Sequence, residues 1–435
     1  MNAPNCTIIT NNIIIDTVFL FTKIAIPVFS TTSYTADTFY VEKDSLRCIA
    51  VTKGIVHKTI PKIGVRMEEI RSIRILCILS NLLGIKVISK CFRETLEKIE
   101  NVECEFLFIN IEDFKLGCPQ YLKWSNTLES VYVIEKKLEE KLKNSEHDAI
   151  FINGSEILAA AHRIAPNNKF IVAMDTTPFL VQRMTRKSNP GIKGVVRQLA
   201  GKILTRGLYP KAMRSVSHFL PLSEWCAASL QNDFDVNIEK ITSTYFPLNC
   251  AQWKPQSIQR KDDNFVLLFV GNDFQRKGGP FLLDLIENYL PNNFRLKIIS
   301  NDPYVEKDWG ERVQVISGLG HDKLPQLIRH YQLSDAFVFP TKHDQLGLVV
   351  AEAMAVGLPV FATNVGGIVD LVDTTTGHLF TLDSPPQLWA QSLIQLSCDL
   401  KLQQTMGEKG RKKIKELCNQ ERFNLAVRKA LSSLN

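Results

Sequence analysis

Residues 336–370 run AFVFPTKHDQLGLVVAEAMAVGLPVFATNVGGIVD. Ala336–Phe339 is a short, wholly apolar run, the pattern of a strand buried on both faces. Pro340 ends it and Thr341–Gln345 form a loop. Gly347 then opens the helical run LVVAEAMAV, which Gly357 and Pro359 stop. A second apolar run, Val360–Thr363, leads into Gly366-Gly367-Ile368. Two acids stand eight positions apart, Asp344 just before the helix and Glu352 inside it. The helix N-terminus offers unpaired N–H groups and the positive end of a dipole, which suits phosphate. A carboxylate accepts hydrogen bonds from paired sugar hydroxyls, worth about 1.5–3 kcal/mol each when the acceptor is charged. The plainer alternative makes Asp344 a helix cap and Glu352 an exposed helix residue.

The same strand–helix alternation extends both ways. Upstream, strand-like runs are Ile73–Leu79, Glu105–Ile109, Asp148–Ile152, Phe170–Ala173 and His218–Leu222. Helix-like runs are Cys91–Ile99, Thr127–Lys143, Ser155–Ile164 and Glu224–Phe234. Residues 246–263, polar with two prolines, interrupt the pattern as a linker. It resumes with strands Phe265–Val270, Leu296–Ser300, Val313–Ile316, Ala336–Phe339 and Val360–Thr363. The helices between and after them are Pro280–Leu290, Asp322–Tyr331, Gly347–Val356 and Pro386–Ser397. This predicts α/β architecture with two doubly wound, Rossmann-like parallel sheets. Ligands of such sheets sit outside the carboxyl ends of the strands, so two halves facing each other make a cleft. Residues 1–70 show no clear alternation, and 399–435 predict a basic helical tail.

Two more loops after strands could face a ligand. GNDFQRKGG at 271–279 has glycines that admit close backbone approach, with Arg276 and Lys277 able to neutralise a diphosphate. It lacks P-loop spacing. The amides of Gly366 and Gly367 could also meet phosphate. Each loop alone is equally well a plain turn. Three in succession on one sheet point to an activated, nucleotide-linked sugar.

At 435 residues the chain is long for one domain, and 45% hydrophobic with 22% charged residues is an ordinary globular balance. The ten cysteines show no C-x-x-C pair, which predicts reduced thiols and a cytosolic protein. Residues 13–29 are interrupted by Asp16, Lys23 and Pro27, so they predict neither a membrane span nor a signal peptide. Net charge is +7, and it is concentrated: 176–223 holds nine Lys and Arg and no acid. Ile192, Val195, Val196, Leu199 and Ile203 fall at helical spacing, which predicts a basic amphipathic helix over 192–209. Either segment 183–214 touches an anionic membrane surface, or the helix packs on its own sheet with a solvated basic face. Few aromatics interleave the charge, so nucleic acid is not an expected partner.

Four blocks in order resemble the nucleotide-sugar domain of the retaining glycosyltransferases of family 4, which have the GT-B fold. They are GNDFQRKGG (271–279), VQVISGLGHDKLPQLIRHYQLSDAFVFPT (313–341), the acid pair with EAMAVGLPV (344–360), and GGIVDLVDTTTGHLF (366–380). SNLLG (80–84) and SEWCAASL…FPLN (223–249) resemble the acceptor-side domain more loosely. Pattern and resemblance together divide the chain into an acceptor-side domain (71–248), a nucleotide-sugar domain (249–398) and a helical tail (399–435), preceded by an N-terminal extension (1–70) that matches nothing in the family.

It also implies roles. Glu352 would hold ribose hydroxyls and Asp344 the donor sugar. Lys277, with Arg276, would grip the diphosphate. The backbone at Gly271, Asn272, Leu346, Gly347, Leu348, Gly366 and Gly367 would line the donor, and residues around Gly318–Gly320 would lie by the base. No cofactor and no metal are implied. The donor is a nucleotide-diphosphate sugar, and the acceptor a glycan or a lipid-linked molecule. Two positions depart from the family. The first acid is usually Glu, whereas here Asp344 is one methylene shorter. Where many relatives carry a His after strand Phe170–Ala173, this chain has Asp175, which either takes part of that role or caps a turn. Those departures leave open a catalytically silent binding protein on the same fold. A sugar-nucleotide epimerase is a further reading.

Overall fold

The computed structural model describes residues 7–9, 38–42, 47–52, 55–60, 72–82, 85–116, 119, 126–184, 203, 206–256, 264–305, 308–319 and 323–434. Most of the expected helix 192–209, with Lys193, Arg197 and Lys202, lies outside these residues. So do Arg186, Lys187, Gly84 of the 80–84 loop and Gly320.

The chain divides into two compact units, Met1–Ser72 and Ile73–Asn435. In the first, Thr7–Ile9 (β1), Thr38–Glu42 (β2), Arg47–Thr52 (β3) and Ile55–Ile60 (β4) pair antiparallel in that order. These strands were not anticipated, although TFYVE, RCIAVT and IVHKTI are rich in the β-branched and aromatic residues that favour a pleated sheet.

The second unit contains two parallel sheets. One is built from Ile73–Ser80 (β5), Val102–Ile109 (β6), Ala149–Asn153 (β7), Phe170–Met174 (β8) and Val216–Pro221 (β9), in the order β6-β5-β7-β8-β9. The other is built from Phe265–Val270 (β10), Phe294–Ile299 (β11), Val313–Ile316 (β12), Ala336–Phe339 (β13), Val360–Thr363 (β14) and Gly377–Phe380 (β15), in the order β12-β11-β10-β13-β14-β15. This is the doubly wound α/β fold class that the alternation predicts. The central strands are sealed on both faces, and every residue of β7 and β13 is buried. Helices pack on them. Leu348–Val356 is apolar apart from Glu352, and Val350, Ala351, Ala353, Met354, Ala355 and Val356 are all buried.

Some boundaries differ from expectation. The helix expected at Cys91–Ile99 runs from Lys86 to Leu96, and Ile99 reaches the core from the turn after it. Strand β15 was not expected. Gly377 permits it, because a β-carbon there would strike the Val360 carbonyl of β14. The C-terminal segment forms two helices, Leu400–Leu417 and Gln420–Ser432. The second returns to the first sheet's half, where the Phe423 ring lies 4.9 Å from that of Phe92 and Lys169 Nζ donates to the Leu434 carbonyl at 2.7 Å.

Candidate functional site

Strand order reverses at β10, with β11 on one side and β13 on the other. In a doubly wound sheet the crevice opens at that switch point. The loop after β10 carries Lys277 and the loop after β13 carries Asp344, so topology brings the two together. The Lys277 side chain lies directly over Gly271, where a β-carbon would collide with its Cδ. Its Nζ stands 5.3 Å from the centroid of the Phe339 ring at the end of β13. Burial pulls the ammonium below the usual lysine range, while the carboxylates of Asp344, Asp273 and Glu352 pull the other way. Among the described residues Nζ has no hydrogen-bond partner, which leaves its three donors for a ligand.

Asp344 does not cap the helix. Its Oδ1 accepts from the amides of Leu346 at 3.3 Å and Gly347 at 2.7 Å, closing a tight turn. The N-cap position belongs to Gly347, in the left-handed conformation at φ 66°, and no side chain caps the helix that begins at Leu348. The first-turn amides therefore remain available to an anion. Gly366 and Gly367 press on the same turn. A β-carbon on Gly366 would strike the Asp344 carbonyl, and the Gly367 amide donates to the Gln345 carbonyl at 3.0 Å.

Glu352 is the only charged residue of its helix. Its Oε2 accepts from the Tyr331 hydroxyl at 2.9 Å. Burial pushes the Glu352 carboxyl up to about 7, opposed by the Tyr331 hydrogen bond and the Lys277 charge. Asp175 comes from the other sheet, just past β8. Burial lifts it to about 6, and the nearby carboxylates of Glu156 and Asp344 add to the rise. The Asp344 charge is thus felt by Asp175, although the two side chains come from different sheets.

Lys277 thus lies against Gly271 and feels the charges of Asp344 and Glu352, while Gly366 and Gly367 press on the turn that holds Asp344 ahead of Gly347 and Leu348. Leu346 is buried. Arg276 is largely committed elsewhere: Nε donates to Asp273 at 2.7 Å and Nη1 to the His343 carbonyl at 2.6 Å, bracing the two loops against each other. Asn272 accepts from the Asn301 amide at 3.1 Å. Gly318 lies apart from the acids. At φ 71° it lines a cavity of about 830 Å³ beyond β11 and β12, with Asn301, Asp302 and Trp309. Sequence reasoning passed over Tyr331, Asp370 and His343. Asp370 Oδ2 accepts from the Trp225 amide at 3.2 Å, so it caps a helix of the opposite half, Glu224–Phe234. His343 holds a buried Nδ1 without a partner. Tyr331 and Asp370 have no local motif, because their partners are distant in sequence.

Comparison with known proteins bears on the half that carries this crevice. Residues 264–399 match the family model described as Glycosyl transferases group 1. The matched stretch holds all six strands of the second parallel sheet. An uncharacterized glycosyltransferase of Methanocaldococcus jannaschii is 28% identical over 182 residues, 40% of this chain and 49% of that protein. The D-inositol 3-phosphate glycosyltransferase of Corynebacterium diphtheriae is 40% identical over 156 residues, 33% of this chain and 36% of that protein. The chain therefore spans less than half the length of either curated relative. In architecture, the sucrose-phosphate synthase of Thermosynechococcus elongatus superposes with a TM-score of 0.62 at 16% identity, covering 82% of this chain and 97% of that one. That likeness extends beyond the matched stretch to both parallel sheets, and the architecture is GT-B.

Proposed function

We propose that the protein transfers a glycosyl group from a nucleotide-diphosphate sugar to an acceptor hydroxyl, with retention of configuration and without a metal. The observation that carries this reading is the unpaired Lys277 ammonium, set over Gly271 within electrostatic reach of Asp344 and Glu352. In this reading Glu352 holds the ribose, Asp344 the sugar, and the open helix terminus at Leu348 the diphosphate. The bond from the anomeric carbon to phosphate breaks as the acceptor oxygen bonds on the same face. The acceptor's proton passes to the departing phosphate oxygen, and Lys277 with the helix amides stabilises the charge left there. Asp175 lines the acceptor side. Its raised carboxyl can exist in either protonation state near neutrality and can orient the incoming hydroxyl.

The acceptor in this proposal is a glycan or a lipid-linked molecule. Arg206, Lys211 and Arg214 are exposed, and Ile203 is 65% exposed, which suits contact with an anionic membrane surface. No helix among the described residues is long and apolar enough to cross a membrane.

One observation favours a second reading. Asp344 spends Oδ1 on its own turn, as would suit a protein that binds a sugar nucleotide without turning it over. Incubation with UDP-, GDP- and ADP-sugars separates the two. Released nucleoside diphosphate, and an α-linked product from an α-linked donor by NMR, support transfer with retention. Binding without release supports the silent reading.

A further inference from the structure

The strongest constraint on the candidate site comes from a helix beneath it. Tyr331, in Leu324–Gln332, is completely buried. Its ring stacks on Phe337 at 5.9 Å and meets Trp253 edge-on at 5.2 Å and 88°. A phenol held between two rings has a fixed direction in which to donate, and burial without a partner would be costly. The partner is Glu352 Oε2, at 2.9 Å. Among the described residues Glu352 Oε1 has no hydrogen-bond partner.

We infer that Tyr331 is a positioning residue for nucleotide binding: its hydroxyl fixes Oε2 of Glu352 and leaves Oε1 to accept from the paired hydroxyls of a ribose. The inference rests on the proposed role of Glu352. The clamp is also tied to the segment joining the two halves, because Trp253 belongs to that segment and its carbonyl accepts from Arg411 Nη1 at 2.5 Å. A residue acting this way contributes equally to ground state and transition state, so its loss raises KM and leaves kcat nearly unchanged.

The test uses the full chain. UDP, GDP and ADP are each titrated calorimetrically, and the tightest binder is carried forward. Tyr331→Phe keeps both ring contacts and removes only the donor. It should weaken nucleotide binding about tenfold and move the pH midpoint of binding upward, because Glu352 loses a bond that favours its charged form. In a Glu352→Ala background the same substitution should add nothing. Unchanged affinity and pH profile in Tyr331→Phe, with Glu352→Ala binding poorly, overturns the positioning role alone. Normal binding by Glu352→Ala, or no binding of any of the three nucleotides by the wild type, overturns the reading of Glu352 beneath it. A second measurement leaves the fold untouched: the tyrosine ¹³Cζ resonance of Tyr331 in the wild type. It should titrate with the midpoint of nucleotide binding and stop titrating in Glu352→Gln, and a signal flat with pH overturns the inference.

Discussion

The backbone carbonyl of Asp344 fills the space that a β-carbon on Gly366 would need. Gly366 also sits at φ 58°, in the left-handed region. The glycine is therefore what lets the loop after β14 close on the turn that presents Asp344. Gly366→Ala meets both a strained backbone and an immovable carbonyl. It should destabilise the protein by on the order of 2–4 kcal/mol and abolish donor binding, measured by thermal unfolding and calorimetry. Gly310→Ala is the control. At φ 82°, with nothing within 4 Å of its β-carbon, it carries the backbone term alone, about 1–2 kcal/mol.

Lys277 offers a sharper kinetic prediction. Lys277→Met preserves the packing over Gly271 and beside Phe339 but removes the charge. If the ammonium stabilises the departing diphosphate, kcat should fall about 10²–10³-fold with KM little changed. A rise in KM at constant kcat would instead make it a ground-state contact. Steady-state kinetics with the preferred sugar nucleotide decides between them.

The raised carboxyl of Glu352 fixes a sign. Its folded value, about 7, lies above the ordinary glutamate value, so the folded state holds the proton more tightly than the unfolded chain. The stabilisation is present below the unfolded value and is lost as pH rises through about 7. Relative to Glu352→Gln, the unliganded wild type should lose on the order of 1–3 kcal/mol between pH 4.5 and 7.5. Nucleotide affinity should run the other way, increasing over the same range because the ribose contact needs the carboxylate. Denaturant unfolding and calorimetry at matched pH values check the two slopes.

The parallel sheets were legible because their central strands are continuous apolar runs bounded by Gly and Pro, a signal confined to a few neighbouring residues. Lys277 and Asp344 were legible as candidates because each lies in a loop just past a strand, where topology alone places ligands, and Glu352 because it is the one charge in an otherwise apolar helix. Tyr331 was not legible. Its meaning comes from a partner 21 positions away on another helix, and in sequence it is one more aromatic in an amphipathic run. Arg276 looked like a diphosphate ligand beside Lys277, yet its main bonds brace two loops. Spacing cannot reveal how a side chain divides its donors. The antiparallel strands β2–β4 went unread although their composition suits strands. The sequence around them is rich in Thr and Ser clusters and shows no strand–helix alternation.

Arg411 supplies the last prediction. From Leu400–Leu417 its guanidinium reaches three backbone carbonyls: Cys250 through Nη2 at 3.1 Å, and Trp253 and Ala355 through Nη1. Cys250 and Trp253 lie in the segment joining the two sheets, and Ala355 lies near the end of the Glu352 helix. One side chain thereby secures both the crossing and the element that carries the ribose candidate. Arg411→Met keeps most of the apolar stem but leaves these carbonyls without their charged donor. Each such orphan costs about 1–3 kcal/mol, and partial access of water should hold the total near about 3 kcal/mol. The midpoint of urea unfolding should fall accordingly with an unchanged slope. Because Trp253 also abuts Tyr331, donor KM should rise while kcat holds. A lowered midpoint with unaltered KM would show that the clamp braces the fold without reaching the site.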